Sequence, residues 1–204
     1  CVIEFPEFVT MNRMYRRPPR STEQMIHYRK YWARERPVRV SAADPDVLSG
    51  YSAVKRDVLG EFQLSVYLGL GVSGAVASRA AAGWGGDRLV AYGRKGEPGL
   101  PLLVHLTTWD SRADALEFAN AQRHVFVARK LRELAADPAG RSWSYGDRAG
   151  ARWLVQLHGR HVLVLHGVPA RLLSELQQQV WSGWRVGGRR IKPPPAPGPQ
   201  RSRP

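Results

Sequence analysis

Glu23 and His27 stand four residues apart in the run Ser21-Thr22-Glu23-Gln24-Met25-Ile26-His27. On a helix that spacing places both side chains on one face. A carboxylate there can orient an imidazole by a charge-assisted contact, or both groups can serve a partner domain. An exposed helix pair fits the same spacing. His158 and His161 flank Gly159-Arg160. A two-residue hairpin would face the two imidazoles toward each other and let them grip a metal ion from one side. Two imidazoles do not make a stable zinc site without a third ligand, so a solvated or hydrogen-bonded rim pair is the preferred reading. Asp87 and Asp110 resemble an acid pair, but helix caps and turn hydrogen bonds account for both. Trp84, Trp109 and Trp143 read as core lids rather than stacking platforms. His105 and His124 are isolated in the sequence and read as interior or surface histidines.

Other catalytic signatures are missing. The chain has no His-Glu-x-x-His, no Gly-x-Ser-x-Gly and no Walker loop. Gly69-Leu70-Gly71-Val72-Ser73-Gly74 matches Gly-x-Gly-x-x-Gly by letter. A dinucleotide site needs a strand before that turn and a parallel βαβ unit after it. Neither is indicated, and a bend between two helices is the better account.

The elements that must position these residues follow from periodicity and punctuation. Ser21 with Gln24 three residues on has the capping-box spacing, and a helix is expected over Thr22–Tyr31. Val38–Val40 reads as a short extended piece. Val54, Val58, Phe62 and Val66 recur at steps of four and predict a helix over Tyr51–Leu70. Ser73 starts a second helix through Ala75–Ala82. Arg88–Tyr92 and Leu102–Thr108 read as an antiparallel pair of strands. Ser111, with Asp114 three residues later, opens a helix expected to reach Ala136, where Asp137-Pro138 stops it. Trp153–His158 and His161–His166 form a hairpin whose Gly-first loop suits a type II′ turn. Its alternation puts Leu154, Gln156, His158, His161, Leu163 and Leu165 on one face. Trp153, Val155, Leu157, Val162, Val164 and His166 take the other. Leu172, Leu173, Leu176 and Val180 mark a last amphipathic helix.

The fold class implied is α+β: an antiparallel sheet of two hairpins, about residues 88–108 and 153–166, covered by helices on one face. The domain reading is a loop-rich basic segment over 1–40, an α+β domain over 41–181 and a disordered Arg/Pro-rich tail over 182–204.

The 204 residues can bury roughly 70% of the unfolded surface. No apolar run reaches the ~18 residues of a membrane-spanning helix. A single cysteine, Cys1, excludes an internal disulfide framework. A chain opening on Cys1 fits a fragment, and an N-terminal lipid anchor on that residue is the alternative. The net charge of +14 raises nucleic acid as a partner. Its placement argues against that partner. Residues 1–40 hold nine Lys/Arg against four Asp/Glu, and residues 182–204 hold six against none. The intervening 141 residues hold sixteen against thirteen. The excess sits at the ends.

Several landmarks together resemble putative bacterial zinc-metallopeptidase-like proteins, many of them secreted or lipid-anchored. They are Pro19-x-Ser21-Thr22-Glu23-Gln24-Met25-Ile26-His27 with Lys30-Tyr31, then Leu59-Gly60-Glu61-Phe62, then Ala81-Ala82-Gly83-Trp84-Gly85-Gly86-Asp87-Arg88-Leu89-Val90. Trp109-Asp110-Ser111, Asp114-Ala115 and Glu117-Phe118 follow in the same order. Tyr28 and Arg29 stand where that family usually has Pro and Glu. The resemblance implies that this chain is the C-terminal portion of such a protein. Zinc and its His-Glu-Leu-Thr-His helix would then belong to an upstream domain, with no zinc ligand carried onto this chain. It implies the cell envelope or the exterior as the compartment. The expected function is a non-catalytic module that packs against, or shapes the cleft of, that N-terminal domain. Ser21, Thr22, Glu23, Gln24 and His27 would lie at the junction. The alternative is a basic module for nucleic acid or anionic surfaces.

Overall fold

The computed structural model describes residues 12, 14–94, 96–97, 99–191 and 194. The chain forms two compact units, residues 1–37 and 38–204.

In the first unit, α1 spans Thr22–Ile26 and α2 spans Tyr28–Ala33. Ser21 caps α1 by accepting from the Gln24 amide at 3.3 Å. The single helix expected over Thr22–Tyr31 is broken at His27, whose extended backbone ends α1 and starts α2. Arg34 closes α2 in the left-handed region, at φ 56°. The Tyr31 hydroxyl donates to the Arg17 carbonyl at 2.9 Å and ties the Pro-rich stretch to α2.

The second unit is built on a seven-stranded sheet. Its strands are β2 (Tyr51–Asp57), β3 (Trp84–Arg94), β4 (Leu102–Trp109), β5 (Arg132–Ala136), β6 (Ser142–Gly146), β7 (Ala151–His158) and β8 (His161–Pro169). The order is β2-β3-β4-β8-β7-β6-β5, and every neighbouring pair is antiparallel. A three-stranded ribbon joins β1 (Val40–Ser41), β9 (Arg185–Val186) and β10 (Arg189–Arg190).

Helices α3 (Gly60–Leu68), α4 (Gly74–Ala81) and α5 (Arg112–Ala128) cover one face of the sheet. Leu64, Leu68, Ala77, Ala115, Phe118 and Phe126 pack there with Trp109, Val155, Val162 and Val164. The other face carries α6 (Leu173–Gly183) and the ribbon, with Leu176, Val180 and Trp181 against Leu154, Leu163 and Leu165. Both predicted hairpins are present, and the alternation read along β7 and β8 sorts those residues onto the two faces as expected. Covering on a single face is corrected: apolar side chains on both faces of the central strands leave neither one free for water.

Four further expectations are corrected. Tyr51–Asp57 is an edge strand, not the start of a helix. Its aromatic and β-branched residues suit a strand, and α3 begins only at Gly60. The row at steps of four consequently faces outward. Val54, Val58, Phe62 and Val66 are 62%, 43%, 56% and 61% exposed, and Leu70 beyond them is 67% exposed, whereas Leu64 and Leu68 are fully buried.

Helix α5 stops at Ala128 instead of Ala136. Lys130 turns into the left-handed region at φ 60°, and the Leu131 amide reaches back to Phe126 O at 3.1 Å. That is a Schellman-type stop made without glycine. Asp137-Pro138 opens the β5–β6 turn. Finally, residues 182–191 are not a disordered tail. Ser182 and Gly183 complete α6, and Arg185–Arg190 form a hairpin; the remaining tail lies outside the described residues apart from Pro194.

The Gly-x-Gly-x-x-Gly letters fall on the bend between α3 and α4, where a Cβ on Gly71 would collide with the α5 backbone at Val125. Among the described residues no helix is long and apolar enough to cross a membrane.

The two α3 rows make opposite predictions. Leu64→Ala is expected to lower stability by about 2–5 kcal/mol, the cost of a core truncation. Val66→Asp is expected to stay within ~0.5 kcal/mol of the parent, as an exposed change. Urea unfolding of both variants checks the assignment, and equal losses would overturn it.

Candidate functional site

The Asp87 carboxylate is a fully enclosed charged group. Asp87 lies on β3, and four donors converge on it, three of them from outside that strand. Leu59 N and Gly60 N donate at 3.0 and 3.1 Å, the Trp84 indole donates at 3.0 Å, and His105 Nε2 lies 3.0 Å away. The two amides belong to the start of α3, whose own capping position, Leu59, has no side chain to satisfy them. Asp87 therefore caps α3 from the neighbouring strand, where the helix dipole also favours negative charge.

The Gly83–Asp87 run explains itself in this geometry. A bulge in β3 between Trp84 and Gly86 shifts the pleat by one residue, so Trp84 and Asp87 meet although three residues apart. A Cβ on Gly86 would strike Val38 O, which explains why glycine stands there.

Burial pushes the Asp87 carboxyl up. The hydrogen bond and charge of His105 and the Leu59 and Gly60 amides outweigh it and hold the group below its usual range. His166 lies on the same face of the sheet, with its ring 5.2 Å from that of Phe126 on α5 and 6.4 Å from that of Tyr67 on α3. Burial first, then the charges of His105 and Arg129, pull its imidazole down to about 3. The Tyr67 hydroxyl accepts from Gln122 at 2.9 Å, and burial pushes its phenol up. Asp87 and His105 have the residue types of an acid–base dyad, but their side chains are 0% and 4% exposed. The carboxylate is filled by structural donors, and a substrate has no free edge to address. The pair is a tie between strands and helix.

The sequence-based candidates fall elsewhere. Glu23 and Gln24 are buried, while Ser21, Thr22 and His27 are half-buried. The Glu23 carboxylate is 2.5 Å from Lys30 Nζ, and the His27 amide donates to Glu23 O at 2.8 Å as the C-cap of α1. Gln24 spans its unit: Oε1 accepts from Arg20 N at 2.8 Å, and Nε2 donates to Glu35 O. The capping-box return was expected at Ser21 and is made one residue earlier. These contacts knit the helix pair together.

His158 and His161 do face each other across the β7–β8 turn, where Gly159 has φ 58° and Arg160 does not share that sign. This is the type II′ pattern. The turn borders a cleft of about 440 Å³ that also takes in Arg160, Arg189 and Arg190. The cleft was missed because β9 and β10 were read as tail. A Gly187-Gly188 pair between short extended pieces is the hairpin signal that could have shown it.

The family model described as a domain of unknown function, DUF8575, matches residues 47–177. The chain belongs to this family. The match takes in the whole seven-stranded sheet, α3, α4, α5 and the Asp87 tie. It leaves out the Ser21–His27 segment and Arg189-Arg190. No curated protein and no solved structure matches the chain.

Two outcomes test the buried cluster. Asp87→Ala strands four donors and is expected to cost about 2–4 kcal/mol in urea unfolding; a loss below ~1 kcal/mol would refute the tie. His166 binds a proton in the unfolded chain near its ordinary value of 6.5 but only near 3 when folded. The unfolded state thus holds the extra proton between those values, and stability falls as pH falls through that window. His166→Leu is expected to remove up to about 1.4 kcal/mol per pH unit of that slope. Unfolding midpoints at about pH 6 and pH 4.5 read it, with His161 still contributing to what slope remains.

Proposed function

We propose that the chain is a non-catalytic module whose exposed α3 face docks on a separate globular polypeptide domain. The observation that carries this reading is the outward pair Phe62 and Val66 on α3, with Val58 just before the helix and Leu70 just after it, all more than 40% exposed. Ordered apolar rows of this kind mark interaction faces. A membrane surface suits the row poorly, because α3 contains no Lys or Arg and helices that lie on anionic bilayers carry them on their polar side. The filled Asp87–His105 tie supports the non-catalytic half of the reading. The sequence resemblance offers a zinc-metallopeptidase-like domain as the occupant, with zinc held on that domain.

The purified chain is expected to bind no stoichiometric zinc and to leave casein uncut. Zinc binding with cleavage that His27→Ala abolishes would overturn the reading. For docking, a separately expressed metallopeptidase-like domain bearing the His-Glu-Leu-Thr-His helix is titrated with the chain. Binding is expected, with at least tenfold weakening by Val66→Asp/Leu70→Asp at unchanged thermal stability. Concentration-dependent self-association lost in the same variant would point instead to a second copy as the occupant.

The second reading, a basic module for nucleic acid, draws support from the Arg-lined cleft. It requires DNA affinity that falls steeply with salt and drops on removal of Arg189 and Arg190.

A further inference from the structure

The β7–β8 turn and the β9–β10 hairpin come together in a way the docking role does not use. Each is held by backbone pairing. The Arg160 carbonyl accepts from Trp109 N at 3.0 Å. Val186 pairs with Val40 on one side and Arg189 on the other. On the approach to the ribbon, the Trp184 indole donates to Ala43 O at 2.9 Å. Three guanidinium groups and two imidazoles are thus brought to one cleft by rigid elements.

The three guanidinium groups carry the charge of the cleft. No acidic side chain lines the cleft. Four arginines of this unit are paired: Arg56 with Asp44, Arg94 with Glu97, Arg123 with Glu133 and Arg141 with Asp137. Among the described residues, Arg160, Arg189 and Arg190 have no such partner. His161 Nδ1 is buried without a hydrogen-bond partner, in a structure where buried polar atoms are as a rule satisfied.

We propose that this cleft binds the phosphate group of a small phosphate monoester. A phosphate dianion offers acceptors to the planar donor forks of Arg160 and Arg190. The cleft volume of about 440 Å³ exceeds what a bare anion fills, and Val186 and Ile191 give it an apolar wall for an organic group. Burial, then the charges of Arg160 and His158, pull the His161 imidazole down to about 4. The proposal does not depend on the docking role.

The test is calorimetric titration of the full chain with AMP, inorganic phosphate and adenosine at matched ionic strength. AMP is expected to bind and adenosine not. Phosphate binding as well as AMP identifies free phosphate as the source of the group and upholds the cleft. Arg160→Ala/Arg190→Ala is expected to weaken AMP at least tenfold, against less than twofold for Arg148→Ala/Arg171→Ala, which removes the same charge elsewhere. If the first variant does not fold, Arg189→Ala carries the same comparison. Equal binding of adenosine, equal loss in both double variants, or binding of a 20-base-pair duplex with AMP and phosphate silent would each overturn the proposal.

Discussion

One carboxylate sets the architecture of the helical side of this fold. Asp87 takes the first amides of α3, the indole of Trp84 and the imidazole of His105 at once. A hydrogen bond to a charged group contributes roughly 1.5–3 kcal/mol net, and a buried charge that loses its partners costs several. The arrangement is therefore all-or-none. The bulge in β3 must form for Trp84 and Asp87 to share a face. The chain must turn at Leu59-Gly60, where Gly60 adopts φ 74°, for its amides to arrive. The angle at which α3 leaves the sheet follows from those two conditions. That angle decides which row of α3 points in.

The mistaken orientation of α3 in the sequence shows where local patterning runs out. Two rows at steps of four compete there, Val54-Val58-Phe62-Val66 and Gly60-Leu64-Leu68, and the outer row has more apolar volume. Periodicity alone favours the wrong row. What selects the right one is the tie from Asp87 to residues 59 and 60, a contact twenty-seven residues away in sequence. By contrast, β7 and β8 were legible down to individual faces. Their register depends only on a two-residue turn and strict alternation, both local. The capping box of α5 was legible for the same reason: Ser111 and Asp114 bond each other's backbone amides at 3.1 and 2.9 Å. The end of α5 was not, because Lys130 enters the left-handed region without a glycine to announce it.

The candidate sites divide along the same line. Glu23 and His27 looked like a functional pair because an unbroken helix was assumed; the break at His27 gives the imidazole's own amide a capping role. His105 reads as isolated in the sequence, and His166 only as a face position of the second hairpin, with nothing to link the two. They are isolated only in sequence: β4 pairs Leu103 with His166, which brings His166 to the neighbourhood of His105 under α3 and α5. Residue types that could do acid–base chemistry are here consumed by the sheet–helix junction. Buried, bonded carboxylate–imidazole pairs of this kind perturb ionisation without implying reactivity.

The basic excess acquires a different meaning once the ribbon is seen. Read as a line, Arg189-Arg190 begins a Pro-rich tail, and its charge suggests loose contact with any polyanion. Read as β10, the same two residues are fixed by Val186 and Arg185 beside a turn that contributes Arg160 and His161. Loose charge gives non-specific, strongly screened attraction. Charge held by backbone ladders, next to an unsatisfied imidazole nitrogen and an apolar wall, has lost its freedom before any ligand arrives. An anion binding there meets groups already ordered, so less of the interaction is lost to fixing long side chains. The distinction between tail and hairpin thus separates a diffuse electrostatic surface from a site with a shape.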